Sequence, residues 1–405
     1  MNRRYIRSSE KGLYRQALDL CTTMSKRKII FILVAVMLAL MLCGCTDSKE
    51  NKSMEKVILD CDMGCLNDDA LALSLLLQAE KNGDFKIAGI TLEGGNYFIN
   101  AEFETNGQLQ TCSWDNTNLF LEKIGRSDIS VYRGTDYPIG FSQKALPELT
   151  KYFENADYLP FNDGYGAIHA FEKTVRGSLC DSDDAANFMI DCVKENPGNV
   201  VIIAIGPTMN VANAIEQDSS FAKNVKAIYY MGGALGESYA AETISGKKVL
   251  AITGANVTPY AEYNVLYDPT AFTTCITADF PQQYIAPAEM SVDFDREILD
   301  MLKSQDSDMA KMWYEHYKNH TPHYPYWDPI AVFTYLRSTH ATLTEEQYIT
   351  VNTDREDDRF GETTALDVDG YNALSENDKL KYGKITVING VKNFWDETMK
   401  LFCLR

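Results

Sequence analysis

The sequence predicts an α/β fold, an open and mostly parallel sheet with helices on both faces. Short β-branched runs alternate with helical patterns along most of the 405 residues, which is typical of βαβ units. Polar and acidic residues recur directly after these runs, where the strands of such a sheet end. The composition is 45% apolar, enough for a large core. Because no repeat or Pro/Gly-rich linker divides it, we expect one domain over residues 54–405.

The N-terminal region has the pattern of an export signal. Residues 1–23 precede a second candidate start and are interpreted as an upstream extension. Residues 24–45 resemble a bacterial lipoprotein signal, with a basic start, an apolar run over 29–42 that is shorter than a membrane span, and a lipobox. Cleavage before a lipid-modified Cys45, followed by a polar tether at 46–53, would hold the protein on the extracytoplasmic side of the bacterial cell membrane. A single-pass anchor is the alternative.

The predicted elements alternate in order along the body. Strands are predicted at 56–60, 86–91, 129–133, 199–205, 225–231 and 283–286. Helices are predicted at 69–81, 116–124, 183–196, 209–217, 293–303, 307–320 and 329–336. The polar segments 97–114 and 235–254 are expected to be loops or flaps over a site. The chain from residue 350 onward is expected to add further strands and a final helix.

Charge and cysteine content restrict the classes of partner. The formal net charge is −19, and removal of the basic signal makes it more negative. Such acidity argues against a nucleic-acid partner, because phosphate binding depends on Lys and Arg. It is compatible with Ca²⁺ or a small neutral substrate. The cysteines after the lipobox show no metal-ligand spacing and are predicted to be buried thiols: Cys61, Cys65, Cys112, Cys180, Cys192, Cys275 and Cys403.

The first predicted strand ends in a cluster of acidic residues. Asp60, Asp62, Asp68 and Asp69 fall within ten residues, directly before a helix that opens at Ala70. Crowded carboxylates raise the free energy unless a cation or hydrogen-bond donors compensate them. We therefore expect a bound cation at this strand end. Capping of the helix by one of the later acids is the simpler alternative.

Later strands also end in polar segments. The second strand is followed by Glu93-Gly94-Gly95-Asn96, the fourth by Gly206-Pro207-Thr208-Met209-Asn210, and the fifth by Gly232-Gly233. Two further segments, 256–264 and 327–332, carry Asn, Glu and Asp residues. Ligands bind beyond the carboxyl ends of the strands in doubly wound sheets. These segments are therefore expected to surround one site.

Taken together and in this order, the segments from about residue 57 to residue 336 resemble the inosine-uridine-preferring nucleoside hydrolase family. The resemblance implies hydrolysis of the N-glycosidic bond of ribonucleosides by a Ca²⁺-dependent enzyme. It places Asp62, Asp69 and Asp328 on the metal, together with the main-chain carbonyl of Met209. Asp62 would also act as the general base that takes a proton from the attacking water. Asp328 before Pro329 has a simpler interpretation as a helix cap.

The resemblance also implies a set of substrate-binding residues. The ribose hydroxyls would be held by Asp68, Asn96, Asn256, Glu262 and Asn264. A carboxylate such as Glu262 would stabilise an oxocarbenium-like transition state. Turn formation for the asparagines and a surface position for the glutamate are the simpler alternatives. Asp60 is expected to support the site from behind the ligands.

Two departures from the family pattern affect the chemistry. Leu66 stands in a longer acidic loop where another Asp is common. Trp327 stands where many members have a His that protonates the leaving base, and an indole cannot act as that acid. Trp327 can instead stack on a purine, which favours purine nucleosides, or it can belong to the core with its aromatic neighbours. One of the histidines at 316, 320 and 323 would be an alternative acid.

Two other functions remain open from the sequence. A non-catalytic nucleoside- or ribose-binding lipoprotein would keep the metal site without turnover. An aspartyl phosphatase would use Asp60 as nucleophile and Mg²⁺ as cofactor, although Gly64 stands where a Thr or Val is expected. A homo-oligomer is compatible with the sequence, which does not determine the oligomeric state.

Overall fold

The computed structural model describes residues 54–64, 66–105, 108–139, 175–235, 242–244, 247–249, 260–319, 324–357 and 359–404. Residues 54–405 form one compact unit. The predicted upstream extension, signal, Cys45 and tether lie outside the described residues. Within the described ranges, no helix has the length and apolar character needed to cross a membrane.

Strands and helices alternate through the first two thirds of this unit. The strands are β1 (Glu55–Cys61), β2 (Phe85–Leu92), β3 (Glu102–Thr105), β4 (Gln108–Gln110), β5 (Val131–Arg133), β6 (Val175–Arg176), β7 (Val200–Ala204), β8 (Ala227–Met231), β9 (Glu242–Ile244), β10 (Lys247–Val249), β11 (Gln283–Ala286), β12 (Val292–Phe294), β13 (Tyr324–Tyr326), β14 (Ala341–Val351), β15 (Thr363–Leu366) and β16 (Gly383–Val391). The helices are α1 (Asp68–Glu80), α2 (Ser113–Lys123), α3 (Asp184–Glu195), α4 (Met209–Gln217), α5 (Phe221–Asn224), α6 (Tyr263–Tyr267), α7 (Pro269–Ile276), α8 (Arg296–Ser304), α9 (Asp308–Tyr317), α10 (Asp328–Leu336), α11 (Val368–Asn372), α12 (Glu376–Lys379) and α13 (Phe394–Phe402), with a short 3-10 helix at Ser338–His340.

A nine-stranded sheet organises the unit, in the order β15-β14-β16-β11-β8-β7-β1-β2-β5. The strands from β16 to β5 pair in parallel. At the other edge, β14 runs antiparallel to both β16 and β15. The predicted open, mostly parallel α/β sheet is confirmed. Its parallel arrangement brings the carboxyl ends of β1, β2, β7 and β8 to one edge.

The sheet is buried on both faces, as the continuous apolar pattern of its central strand requires. In β1, Val57 and Leu59 belong to one core cluster, whereas Ile58 between them belongs to the other. The first cluster includes side chains of α1, α9, α10 and α13. The second includes side chains of α3, α4 and α7. Helices therefore cover both faces, and the loops after β1, β2 and β7 are anchored by rigid elements.

Each predicted strand and helix of the alternating region is present, with boundaries shifted by a few residues. Two short antiparallel pairs lie in the segments predicted as loops or flaps, β3 with β4 in 97–114 and β9 with β10 in 235–254, and their place over the site stays a prediction. Strand β14 was missed before residue 350, since its first half is mostly exposed and shows no apolar alternation. Cys403 is exposed, contrary to the prediction of buried thiols, and Cys65 lies outside the described residues.

Candidate functional site

The acidic loop between β1 and α1 forms the centre of the candidate site. Asp60 lies within β1, Asp62 follows the strand, and Asp68 and Asp69 are the first two residues of α1. The cap of α1 is Asn67, whose side-chain oxygen accepts a hydrogen bond from the Ala70 amide. Helix capping therefore does not account for the two acids at 68 and 69. The Asn67 amide group also donates to Asp69 Oδ2 at 2.7 Å, which fixes the orientation of that carboxylate.

Three carboxylates converge at the start of α1 and α10. Asp68, Asp69 and Asp328 each offer an oxygen, and these oxygens lie within 4.8 Å of one another. Asp69 and Asp328 are buried, whereas Asp68 is half-buried. The Trp327 amide donates to Asp68 Oδ2 at 3.3 Å, so the two helix starts are joined directly. The structure thus gathers residues that are 259 positions apart in the chain.

Asp62 lies fully buried beside this cluster. Its Oδ2 accepts a short hydrogen bond from the Asn96 amide, while its Oδ1 has no hydrogen-bond partner. Asp69 Oδ1 is likewise buried without a partner. A Cβ at position 95 would lie 2.1 Å from Asp62 Oδ2, so only Gly95 lets the backbone approach the carboxylate this closely. Two buried carboxylate oxygens are therefore left for an external ligand.

The carboxylates of the cluster have no cationic partner among the residues that the structure describes. No Lys or Arg among the described residues forms an ion pair with Asp62, Asp68, Asp69 or Asp328. Burial raises the pKa of Asp62 to about 7, although the Asn96 amide opposes the shift. Burial, followed by the charges of neighbouring carboxylates, holds the pKa values of Asp69 and Asp328 well above the usual range. A set of hard oxygen donors with unsatisfied atoms fits a divalent cation such as Ca²⁺.

Asp60 is positioned as a supporting residue. It is fully buried, and its Oδ1 accepts hydrogen bonds from Thr91 Oγ1 at 2.7 Å and from Asn210 Nδ2 at 2.8 Å. Burial raises its pKa to about 7, and these two hydrogen bonds oppose the shift. The side chain ties β1 to β2 and to α4, while its Oδ2 is buried without a hydrogen-bond partner, and its supporting role stays a prediction.

Sequence reasoning did not single out Glu93 or Asn210. Glu93 is fully buried at the end of β2, and both of its carboxylate oxygens accept backbone amides, from Thr208 and from Asn210. The signal was available, since Glu93 follows a strand as Asp60 and Asp62 do. Its contact across the sheet to the turn before α4 is a tertiary feature that no local pattern indicates.

Glu262 and Asn264 lie inside the protein and not on its surface. Glu262 is 1% exposed, caps α6, and accepts hydrogen bonds from the amides of Gly233, Asn264 and Val265. Burial raises its pKa to about 7. Asn264 Nδ2 donates to the carbonyls of Ile205 and Met231. These bonds hold α6 across the carboxyl ends of β7 and β8. A surface position for Glu262 is therefore wrong.

The remaining predicted site residues have different environments. Asn96 is half-buried beside Asp62, Met209 is the fully buried first residue of α4, and Asn256 lies outside the described residues. Trp327 is 8% exposed, and its Nε1 donates to the Ala288 carbonyl at 2.8 Å. Its proposed contact with a nucleobase stays a prediction. His316 lies half-buried on α9, while residues 320 and 323 are outside the described part.

The family assignment rests on a match over most of the chain. The model of the family described as inosine-uridine preferring nucleoside hydrolase matches residues 57–395. The chain belongs to this family. The match contains each of the strand ends described above. It gives no support to the aspartyl phosphatase alternative, and full burial of Asp60 also argues against a nucleophile at that position.

Individual relatives are more distant. Uridine nucleosidase 1 of Arabidopsis thaliana is 30% identical over 224 residues, which are 55% of this chain and 54% of that protein. A pyrimidine-specific ribonucleoside hydrolase of Escherichia coli O157:H7 is 28% identical over 226 residues, or 56% of this chain and 57% of that protein. The chain thus spans about half the length of the curated relatives it matches.

Solved structures support the fold. The inosine-uridine preferring nucleoside hydrolase of Bacillus anthracis is 18% identical, with a TM-score of 0.58 over 87% of this chain and 100% of that chain. A purine-preferring ribonucleoside hydrolase of Gardnerella vaginalis is 21% identical, with a TM-score of 0.56 over 86% of this chain and 98% of that chain. At these identities the likeness concerns the arrangement of the sheet and helices.

Proposed function

We propose that this protein hydrolyses the N-glycosidic bond of ribonucleosides with the help of a calcium ion. The observation that carries the proposal is the convergence of carboxylate oxygens from Asp68, Asp69 and Asp328 within 4.8 Å, beside the unpartnered Oδ1 of Asp62. Membership of the nucleoside hydrolase family supplies the reaction type.

The cation would be held by the acids of the cluster. Asp62, Asp69 and Asp328 are the proposed side-chain ligands, and the carbonyl of Met209 is the proposed main-chain ligand. When bound, calcium neutralises the crowded carboxylates and makes a nearby water more acidic. The protein has placed these carboxylates on two helix starts and one strand end, so their positions are fixed before a ligand binds.

Asp62 would act as the general base. Its Oδ2 is held by the Asn96 amide, which leaves Oδ1 free to accept the proton of the attacking water. The water oxygen bonds to the anomeric carbon as the bond to the base nitrogen breaks. Positive charge then develops on the ribosyl ring, where carboxylates such as Asp68 and Glu262 stabilise it. Asn96, Asn256 and Asn264 complete the proposed ribose contacts.

Protonation of the departing base is the step for which the described residues show no dedicated donor. The Trp327 Nε1 is occupied by the Ala288 carbonyl, and an indole does not release this proton at neutral pH. We propose stacking of the indole on the base, which favours purines because their ring nitrogens are more readily protonated from solvent. The same observation favours the second candidate function, a nucleoside-binding protein without turnover.

We propose that the protein acts outside the cytoplasm as a lipoprotein on the bacterial cell membrane. The support is the sequence of residues 24–45, which ends in Leu42-Cys43-Gly44-Cys45. Lipid attachment at Cys45 would leave the polar residues 46–53 as a short tether to the domain. Mass spectrometry of the protein purified from membranes tests the attachment through the mass of its N-terminal peptide. An unmodified Cys45 would reject it.

Ribose release tests the activity. The purified protein with calcium is expected to release ribose from inosine, guanosine, adenosine or uridine, and the ratio of kcat/KM for inosine and uridine measures the base preference. Calorimetry with inosine separates the two candidate functions. Binding without ribose release identifies the non-catalytic binder, and absence of both with calcium bound rejects the proposal.

A further inference from the structure

Glu93 occupies an unusual position behind the site. Its side chain is fully buried at the end of β2. Its Oε1 accepts a hydrogen bond from the Thr208 amide at 2.7 Å, and its Oε2 accepts one from the Asn210 amide at 3.1 Å. These two amides flank Met209, whose carbonyl is the proposed main-chain ligand. Of the peptide groups that Glu93 holds, one links Met209 to Asn210 and contains the Met209 carbonyl, and the other links Pro207 to Thr208.

The turn that Glu93 holds is a strained one. Thr208 has φ of +66°, a left-handed conformation that is unfavourable for a residue other than glycine. Such a conformation persists only where the surroundings impose it. A Cβ at position 206 would lie 2.6 Å from Glu93 Oε1, so Gly206 makes room for the carboxylate. The glycine at position 206 therefore lets the Glu93 carboxylate reach the backbone of this segment.

A second contact fixes the other end of the turn. Asn210 Nδ2 donates to Asp60 Oδ1 at 2.8 Å and to the Leu92 carbonyl at 3.1 Å. The Glu93 amide itself donates to the Cys61 carbonyl at 3.1 Å. The turn before α4 is therefore tied to the ends of both β1 and β2, the strands that carry the acidic loop and Asn96.

We infer that Glu93 is a positioning residue, which fixes residues 206–210 so that the Met209 carbonyl is held in place for the proposed cation. The inference rests on the proposed function, because it requires a cation in the cluster. A side-chain substitution cannot remove a main-chain carbonyl. The Met209 carbonyl shares a planar peptide group with the Asn210 amide, and Glu93 accepts the hydrogen bond of that amide. Loss of the carboxylate should therefore weaken metal binding without touching any carboxylate ligand.

The test uses Glu93→Gln in the full-length protein, stripped of metal and titrated with calcium in a calorimeter. The amide oxygen of Gln can accept one of the two hydrogen bonds, but its NH₂ group faces the second amide as donor against donor. The Kd for calcium is expected to rise by about 10- to 100-fold, as for other residues that orient metal ligands. Hydrogen exchange at the Thr208 and Asn210 amides of the metal-free protein is expected to be faster.

Asp268→Asn is the matched control. Asp268 is also a buried carboxylate that accepts two backbone amides, from Ile139 at 2.6 Å and from Ala271 at 2.8 Å, but it caps α7. The Asp268→Asn substitution should lower the Tm and leave the calcium Kd unchanged. Glu93→Asp keeps the charge with a shorter reach, and an intermediate rise in Kd is expected if the Gln variant does not fold.

Three outcomes distinguish failure of the role of Glu93 from failure of the proposed function. A raised calcium Kd in the Glu93 variants, with an unchanged Kd in Asp268→Asn, supports the inference. Equal calcium affinity in wild-type protein and Glu93 variants overturns it and leaves the proposed function standing. Absence of calcium binding in wild-type protein overturns the proposed function together with the inference.

Discussion

The acidic residues at the two ends of strand β1 differ in whether a cationic side chain pairs with them. At its start, Glu55 forms an ion pair with Lys226 and accepts a hydrogen bond from the Tyr335 hydroxyl at 2.8 Å. At its end, Asp62 is buried with one oxygen unpartnered, and no cationic side chain among the described residues pairs with it. The amino edge of the sheet is neutralised by the protein itself. At the carboxyl edge, no cationic side chain among the described residues pairs with Asp62, Asp69 or Asp328, and this is where we propose the calcium site.

The difference indicates that the paired acid contributes to stability, whereas the unpaired acids are kept for binding a ligand. Unpaired buried carboxylates cost several kcal/mol unless they are protonated or matched by a cation. In the described part of the chain, Asp62, Asp69 and Asp328 are three such carboxylates, and they lie together near the carboxyl edge of the sheet. Substitutions at the carboxyl edge should therefore change activity and calcium binding, and substitutions at the amino edge should change stability alone.

The largest expected effect is on turnover. Asp62→Asn removes the proposed general base with little change in size, so kcat for ribose release is expected to fall by about 10²- to 10⁴-fold. Steady-state kinetics with inosine measures it. Glu55→Gln, at the opposite end of the same strand, should leave kcat unchanged. An Asp62→Asn variant as active as wild type would remove the functional side of the comparison.

The second prediction concerns pH and calcium. The pKa values of Asp62 and Glu262 are raised to about 7 by burial. The folded protein therefore holds protons that the unfolded chain releases near pH 4. The cation-free protein should lose stability as pH rises from 5.5 to 8.

Calcium should reverse this trend, because it binds the deprotonated acids. Its stabilisation at 100 times its Kd is about 2.7 kcal/mol, and the rise in Tm on adding a fixed calcium concentration should be larger at pH 8 than at pH 5.5. Thermal melts with and without a chelator provide the measurement. A calcium-induced Tm shift that shrinks as pH rises would contradict it.

A smaller effect is expected at Trp327. Trp327→Phe removes the donor to the Ala288 carbonyl and leaves that buried acceptor unpaired, which should cost about 1–3 kcal/mol of unfolding free energy. If the indole also stacks on the base, KM for inosine should rise more than KM for uridine. Chemical denaturation and kinetics with both nucleosides separate the two roles. Equal changes in KM for inosine and for uridine would show that the indole packs in the core and does not stack on the base.

The smallest effect is expected at the amino edge. Lys226→Met removes the partner of Glu55, whose side chain is mostly buried but lies beside a half-exposed lysine. Such pairs contribute about 1 kcal/mol or less. Denaturation should show a loss of that size, and the calcium Kd should not change. A large loss of calcium affinity would show that the two edges are coupled.

The sequence predicted the sheet and the acidic centre because both depend on local patterns. Continuous apolar runs identified the buried parallel strands, and Asp60, Asp62, Asp68 and Asp69 were visible as a cluster after the first of them. The carboxyl ends of parallel strands meet whatever the details of the fold. The grouping of Asp68 and Asp69 with Asp328 came from the family resemblance alone, because Asp328 follows β13, which lies outside the main sheet.

What the sequence did not predict depends on tertiary contacts. The role of Glu93 arises from a turn more than 100 residues away. The hydrogen bond from Trp327 to the Ala288 carbonyl could not be predicted either, since the sequence was compatible with an indole in the core and with one that stacks on a base. Strand β14 forms because β16 and β15 pair with it, although its own side chains alternate weakly. Pairing partners supplied what the local pattern lacked.

Calcium titration of the metal-stripped protein decides whether the acidic cluster is a cation site. We expect one bound calcium per chain in the wild-type protein and an affinity weakened by more than about 100-fold in Asp328→Ala, since removal of a ligand should exceed the effect of removing a supporting residue. The acidic cluster is not a calcium site if the wild-type protein binds no calcium or if Asp328→Ala binds it equally well.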